Sequence, residues 1–372
     1  MRLNEFTFGI YLVISCVSIS CNSEKSDYTG SVPHINLHEN VNVSSSDALT
    51  VSNLAITRLA GDHDEAFFKD ASIIDVLGDT VILLENTPNA SRLIMFDIQN
   101  GDYLGEVNHR GQGPGEYRMI LGAFVNDNDA SVLIPNFDTQ YVYKYSLAND
   151  SLLSIIDREE VITMLPPIGG TESCINMAMM SPDDLMIRQY DSDYNFIDSV
   201  LVPGFRGGNF NTLWDNAGNN GVFMMADTLY TLVPGELRPL AILSRGDYAL
   251  TPEKDEEISM NVIMNGGDEL ELLKPFILAR NVQFTDGKML LTTMTNGVKH
   301  SDLYDCSTGG MLYRSEYDSL SKSSFMVVKD DSGNSFEVEG IFAKDGKWFG
   351  FLNRDGMNIA EDANDVIINF EI

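Results

Sequence analysis

Phe96-Asp97-Ile98-Gln99-Asn100-Gly101-Asp102-Tyr103-Leu104 has a second copy further along the chain, Tyr304-Asp305-Cys306-Ser307-Thr308-Gly309-Gly310-Met311-Leu312. Both read aromatic, Asp, three variable residues, Gly, two variable residues, Leu. Asp favours a tight turn because its side chain bonds nearby backbone N–H groups, and Gly accepts positive φ without a steric penalty. The flanking residues read as strands, so the repeat predicts a strand–turn–strand unit used more than once.

A second signal, a polar turn followed by a short apolar run, begins at Asp79, Asp129, Asp184, Asp227, Asp286 and Asp345. The successive spacings are 50, 55, 43, 59 and 59 residues, near the roughly 40–50 residues of a four-stranded propeller blade with its loops. Runs such as Tyr141-Val142-Tyr143-Lys144-Tyr145 alternate in the strand period. One small sheet cannot bury both faces, so sheets stacked round an axis cover one another and leave only short edges. The expected fold class is therefore all-β, a six-bladed β-propeller of four-stranded antiparallel blades. Residues 366–372 form a strand candidate with no turn after it, and 54–59 precede the first counted turn. Pairing of these N- and C-terminal strands is expected to close the ring. One stretch breaks the rhythm: Thr251, Pro252 and the acids after them read as a helix start, and Pro275 stops a second short piece. A small helical insertion near 251–274 is expected, between the fourth and fifth blades.

Between two strand blocks lies Asn108-His109-Arg110-Gly111-Gln112-Gly113-Pro114-Gly115-Glu116-Tyr117. Gly111, Gly113 and Gly115 permit tight backbone geometry and Pro114 fixes one φ, so the segment is a shaped structural loop. It lacks the third glycine of a dinucleotide fingerprint and the Gly-Lys-Ser/Thr of a Walker loop. It is expected to join the last strand of one blade, near 103–107, to the first strand of the next, near 121–125, with its bend beside the central channel. Arg110, Gln112, Glu116 and Tyr117 are the candidate ligand-lining side chains.

The run at 111–117, the Asp227-Thr228-Leu229-Tyr230 strand start and the closing Asn364-Asp365-Val366-Ile367-Ile368 together resemble bacterial lipoproteins described as six-bladed, TolB-like β-propeller domain proteins. The resemblance spans about 33–372 and departs at Asp365, where the pattern has proline. It implies a propeller fold and a cell-envelope location. That family has largely unassigned function, so no catalytic residue is carried over.

The N-terminus addresses location independently. Arg2 precedes a mainly apolar run over 6–20, shorter than the roughly 20 residues of a membrane span. Cys21 follows Ser20 and opens an abruptly polar stretch. Residues 1–20 are read as a lipoprotein signal peptide, with Cys21 as the acylated residue and Cys16 as its rival. Residues 21–50 are read as a mostly flexible tether, and 51–372 as the propeller, with a start near 33 as the alternative. The expected location is the bacterial envelope, at the outer membrane, held through the lipid anchor only.

The chain carries 24 basic and 55 acidic side chains, a net charge of -31 over 372 residues, which disfavours phosphate backbones and excludes nucleic acid as a natural partner. Cys174 and Cys306 lie in different repeats and are expected as two buried thiols, with pairing left open. There is no His-Glu-x-x-His, Gly-x-Ser-x-Gly or paired CxxC. Asp191-Ser192-Asp193-Tyr194-Asn195 starts like a calcium loop but has Phe196 and Val202 where Gly and Glu are needed. His34 and His38 read as a chance pair in an extended segment, and 206–210 as a loop. No metal ligand, cofactor or catalytic residue is assigned. Two readings remain. One is a monomeric, lipid-tethered binding or scaffold module for a protein, small-molecule or glycan ligand. The other is a metal-dependent hydrolase or lyase of the propeller lactonase type, with a divalent cation in the central channel.

Overall fold

Val81, Ile82 and Leu83 are fully buried within one strand, Thr80–Asn86. Val81 and Leu83 pack toward one neighbouring sheet and Ile82 toward the other. A strand covered on both faces has no polar side to alternate with, which is why these middle strands read as continuous apolar runs. The computed structural model describes residues 32–372 apart from 62–64, 137–138, 140, 158–167, 170–174, 181–183, 192, 204–212, 218–219, 318–323 and 354–364. Cys16, Cys21, Cys174 and the 206–210 segment lie outside the described residues.

Among the described residues the strands fall into six small sheets. Sheet 1 is Ala71–Leu77, Thr80–Asn86, Ser91–Asp97 and Tyr103–Val107. Sheet 2 is Phe124–Asn126, Ser131–Pro135, Tyr141–Ser146 and Leu152–Asp157. Sheet 3 is Ile168–Gly169, Ile175–Met180, Asp184–Tyr190 and Phe196–Pro203. Sheet 4 is Leu213–Ala217, Asn220–Met225, Thr228–Val233 and Glu236–Ser244. Sheet 5 is Leu278–Thr285, Lys288–Thr295, Val298–Asp305 and Met311–Tyr317. Sheet 6 contains Ser335–Lys344, Lys347–Leu352 and Val366–Glu371, and its outer strand is Ser52–Arg58 from the start of the chain, antiparallel to Val366–Glu371. The expected pairing of the two ends is thus present, with Ile368 opposite Ile56.

Each sheet packs on the next. Ile82 and Met95 of sheet 1 meet Val132 and Tyr143 of sheet 2. Phe124 and Val142 meet Tyr194, Ile187 and Val202 meet Phe223 and Leu232, and Val222 and Leu243 meet Val282 and Tyr304. Leu290 and Tyr313 meet Trp348 and Phe370, and Phe349 and Ile367 return to Ile94 and Phe96. The result is a propeller-like ring of small antiparallel sheets.

The Asp-Gly repeat is the turn from the third strand to the outer strand. In sheet 1 Asp97 N–H donates to the Asp102 carbonyl at 2.9 Å, and Asp97 Oδ1 accepts from Gln99 N–H at 2.7 Å. In sheet 5 Asp305 N–H donates to the Gly310 carbonyl at 2.9 Å, and Asp305 Oδ1 accepts from Ser307 N–H at 2.7 Å. Sheet 2 has the same turn with Ser146 in place of Asp and Asp150, at φ 55°, in place of Gly. The turns at Asp79, Asp129, Asp286 and Asp345 join first to second strands, whereas Asp184 and Asp227 stand at the start of third strands. The six polar-turn starts therefore fall at two different positions in the unit, and their spacings are not one repeat length.

The predicted insertion between sheets 4 and 5 is helical. The helix α1, Pro252–Asn265, has Thr251 as N-cap, its side chain accepting from Lys254 N–H, and Gly266 in the left-handed conformation at its end. A shorter helix α2, Glu269–Leu273, is capped by Asp268. Within 21–50, residues 34–40 are built into the ring: His34–Asn36 runs parallel to Glu236–Ser244, and Ile35 and Leu37 are buried. Arg314 then donates to the carbonyls of Asn40 and Val43, and Leu49–Thr50 runs parallel to Phe325–Lys329. This N-terminal strap crosses the edges of sheets 4, 5 and 6. Cys306 is buried and unpaired, and burial pushes its thiol up to about 12.

Candidate functional site

The glycine-rich loop leaves the end of Tyr103–Val107 and leads to Phe124–Asn126, as its position between strand blocks implied. It is held by its own groups. Arg110 bridges to Tyr117, whose N–H donates to the His109 carbonyl at 3.0 Å, while Gly111 N–H donates back to the Tyr117 carbonyl at 2.9 Å. The Glu116 carboxylate accepts from Gly113 N–H at 2.7 Å and folds over Gly111, where a Cβ would meet its oxygen at 1.9 Å. Tyr117 is fully buried and its hydroxyl donates to the Val107 carbonyl at 3.1 Å. Tyr145, from the third strand of sheet 2, donates to the Gly115 carbonyl and stacks on His109 at 4.5 Å. His109 Nε2 lies 2.8 Å from both the carbonyl and the Oδ1 of Asp150, the hydrogen bond running to the carbonyl.

These contacts, with Leu152 against Gly115, put the bend on the third and outer strands of sheet 2 rather than beside the channel. Of the four candidate ligand-lining side chains, Glu116 and Tyr117 are engaged inside the loop. Arg110 and Gln112 are exposed, Arg110 donating to the Pro88 carbonyl at 2.8 Å.

The first strands of sheets 3 and 4, 4 and 5, 5 and 6, and 6 and 1 lie side by side along the inner rim. Here the structure brings together three side chains that the sequence reading did not single out. Lys344, at the end of Ser335–Lys344, donates to Asp75 at 2.7 Å and to Asp127 at 3.0 Å. One ammonium thereby ties sheet 6 to sheets 1 and 2. Asp75 sits beside a register shift in its strand, which re-aims its side chain. Burial raises the Asp75 carboxyl to about 6, against the opposing pull of Lys344. Burial also works against the Lys344 ammonium, but the two carboxylates outweigh it and hold its pKa above the ordinary value. Two carboxylates already closed on an ammonium do not fit a divalent cation. Among the described residues, no three His, Cys, Asp or Glu side chains converge as metal ligands.

The calcium-like stretch is the third-to-outer turn of sheet 3. Asp191 Oδ1 accepts from the N–H groups of Asp193 and Asn195, and Asp193 pairs with Lys144 of sheet 2 at 2.9 Å. It is a turn with a seam contact. His38 Nδ1 lies 3.0 Å from the Ser244 carbonyl, in the strap.

The outer edges of sheets 2 and 3 are a further feature that the strand pattern alone did not mark. Leu152–Asp157 and Phe196–Pro203 are the outermost strands there. Leu153, Ile155, Phe196 and Leu201 are between 45% and 59% exposed. The strap covers the edge of sheet 4 instead. Among the described residues, no helix is long and apolar enough to cross a membrane.

Residues 62–366 match the model of a family described as "Domain of unknown function (DUF4934)". No curated protein matches the chain. Among solved structures, the chain is similar to a "Putative exported protein" from Bacteroides fragilis, with 17% identity and a TM-score of 0.63 over 88% of this chain and 98% of that one. It is also similar to a member of the duf4221 family from Bacteroides vulgatus, with 10% identity and a TM-score of 0.52 over 87% and 97%. At these identities the likeness concerns the fold alone.

Proposed function

The chain belongs to the DUF4934 family, and on that premise we propose that it is an exported binding module that docks a protein partner through the outer edges of sheets 2 and 3. In this reading the ring is a six-bladed, TolB-like propeller. It is acylated at Cys21 and held at the outer membrane by that anchor. The six sheets and their six seams support the blade number. The exported protein of similar fold and the short apolar run before Cys21 support the location.

One observation carries the docking reading. Leu153, Ile155, Phe196 and Leu201 are exposed on the outer strands of two adjacent sheets in a chain with net charge -31. Exposed large apolar side chains on strand edges mark interaction surfaces, and an unpaired edge also offers its backbone N–H and C=O groups. The glycine-rich loop, its backbone fixed by Glu116 and Tyr117, reaches this edge where Gly115 meets Leu152, and its exposed Arg110 and Gln112 supply polar contacts from a backbone that is already ordered.

The test places a photo-crosslinking residue at Leu153 in the full chain in its own cells, with Glu256 on α1 as the control position. A discrete adduct at 153, lost on Phe196→Lys, is expected. The same bands from position 256, or no adduct at 153, would reject the reading. The anchor is tested separately: Cys21→Ala should release the protein from the membrane fraction.

A further inference from the structure

The seam between sheets 6 and 1 opens at its turn end into a pocket of about 250 Å³ lined by residues of both sheets. The repeat explains the space. Third strands carry one residue at an equivalent register position, opposite Ile82, Leu133, Leu290 and Phe349. In sheets 1 and 5 it is Met95 and Leu303, both buried in their seams. In sheet 2 it is Lys144, which fills its seam by pairing with Asp129 at 2.8 Å and Asp193 at 2.9 Å. In sheet 6 it is Asn369, smaller in volume than any of these and without a partner for its amide among the described residues. Across the pocket the turn is made by Gly78, where a Cβ would meet nothing within 4 Å.

The lining decides what fits. Lys344 has three N–H donors, of which Asp75 and Asp127 take two, and its side chain is 5% exposed. Lys347 and the Asn369 amide add donors. Asp79 accepts from Gln99 Nε2 at 3.0 Å through Oδ1 only, leaving Oδ2, the Gln99 carbonyl oxygen and Asp345 as acceptors. Two ammonium groups face two carboxylates in the lining, and Asp75 and Asp127 behind Lys344 add negative charge, so an anion meets excess negative charge. A group that both donates and accepts while carrying no charge matches this set. Phe349, Val76 and Ile98 supply an apolar floor. The volume is below the roughly 300–1,000 Å³ of drug-sized sites, which limits the occupant to about one ring.

We propose that this seam pocket binds a single neutral, hydroxyl-rich ring such as one sugar unit, at a site separate from the outer edges of sheets 2 and 3. The experiment is saturation-transfer NMR on the full chain with glucose, galactose, mannose and N-acetylglucosamine, against glucuronate as the anionic probe. At least one neutral probe should bind, with glucuronate weaker. Asn369→Leu, which places the sheet 5 residue type in sheet 6, should weaken binding tenfold or more while leaving the melting transition in place. Lys347→Met, at the exposed mouth, should weaken it several-fold without a folding cost. The proposal is overturned if no neutral probe binds the wild type, if Asn369→Leu and Lys347→Met bind as the wild type does, or if glucuronate binds as tightly as the neutral probes.

Discussion

Sheet 1 has a neighbour on each face, and the two seams are built differently. Toward sheet 2, Met95 and Leu93 pack against Val132 and Tyr143, and Tyr117, Tyr145 and Glu116 satisfy one another or the loop backbone at the rim. Toward sheet 6, Phe349 and Ile367 fill the middle, but the inner end is held by the buried Lys344–Asp75 pair and the turn end stays open around Asn369. The first seam joins sheets made from consecutive sequence. The second joins a sheet whose strands come from both ends of the chain. The seam assembled from distant pieces thus adds a buried charge contact to its apolar cluster, whereas the seam toward sheet 2 is filled by apolar volume and tyrosines.

The deepest cut in this comparison is removal of 366–372. It takes out the strand between Lys347–Leu352 and Ser52–Arg58, and cooperative unfolding should be lost by calorimetry; a truncated protein with an unchanged transition would contradict ring closure. Next, Lys344→Met leaves Asp75 buried without its cation and should lower stability by about 3–5 kcal/mol in urea at pH 8, with a smaller loss at pH 5. The sign follows from Asp75, whose folded pKa is raised from 3.8 to about 6. Its proton is bound more tightly in the folded state, so its contribution is fully present below pH 4 and is lost as pH rises through 6. Asp75→Asn should therefore remove up to about 3 kcal/mol of pH dependence in that window, and an identical pH profile for variant and wild type would refute it.

Smaller effects separate the two turns of sheet 1. Gly101→Ala brings a Cβ to 2.0 Å from the Arg58 carbonyl oxygen at φ +82° and should cost about 3 kcal/mol, whereas Gly78→Ala meets open space at φ +58° and should cost about 1 kcal/mol. Equal losses in chemical denaturation would remove the distinction. The smallest expected change is Tyr145→Phe, about 1 kcal/mol for the lost bond to the Gly115 carbonyl. It tests whether the loop seam depends on that hydroxyl at all.

Gly101 also shows why the sequence repeat was visible in two copies only. Both legible glycines lie under a crossing backbone: Gly101 against Arg58, at the end of the outer strand of sheet 6, and Gly309, with a would-be Cβ 2.2 Å from the His34 carbonyl oxygen, under the strap. The corresponding turns of sheets 2 and 3 place Asp150 and Tyr194 at positive φ. Turn geometry alone tolerates such residues, whereas a crossing backbone requires glycine. The all-β class, the ring-closing strands and the capped helix were legible because each rests on local chemistry or strand period. The Lys344–Asp75–Asp127 cluster was not, because its members come from three sheets and carry no spacing signature. The pocket at Asn369 becomes visible only when third strands are aligned by register. Arg110, Gln112, Glu116 and Tyr117 could be named from sequence, but their division into surface and interior depends on the fold of the loop.

The outer strand of sheet 6 also sets an order in time. Asn53 donates to Glu371 across 318 residues, and joining points that far apart in an unstructured chain costs about 5 kcal/mol in loop-closure entropy. That cost falls once the intervening sheets have formed and brought the ends near each other. Sheets 1 to 5 each draw their four core strands from a continuous stretch and can form as soon as that stretch is available. Sheet 6 cannot be completed until the last strand of the chain exists. Until then Ser52–Arg58 lacks its hydrogen-bonding partner, and the slowest folding phase should report the arrival of the C-terminal strand beside it.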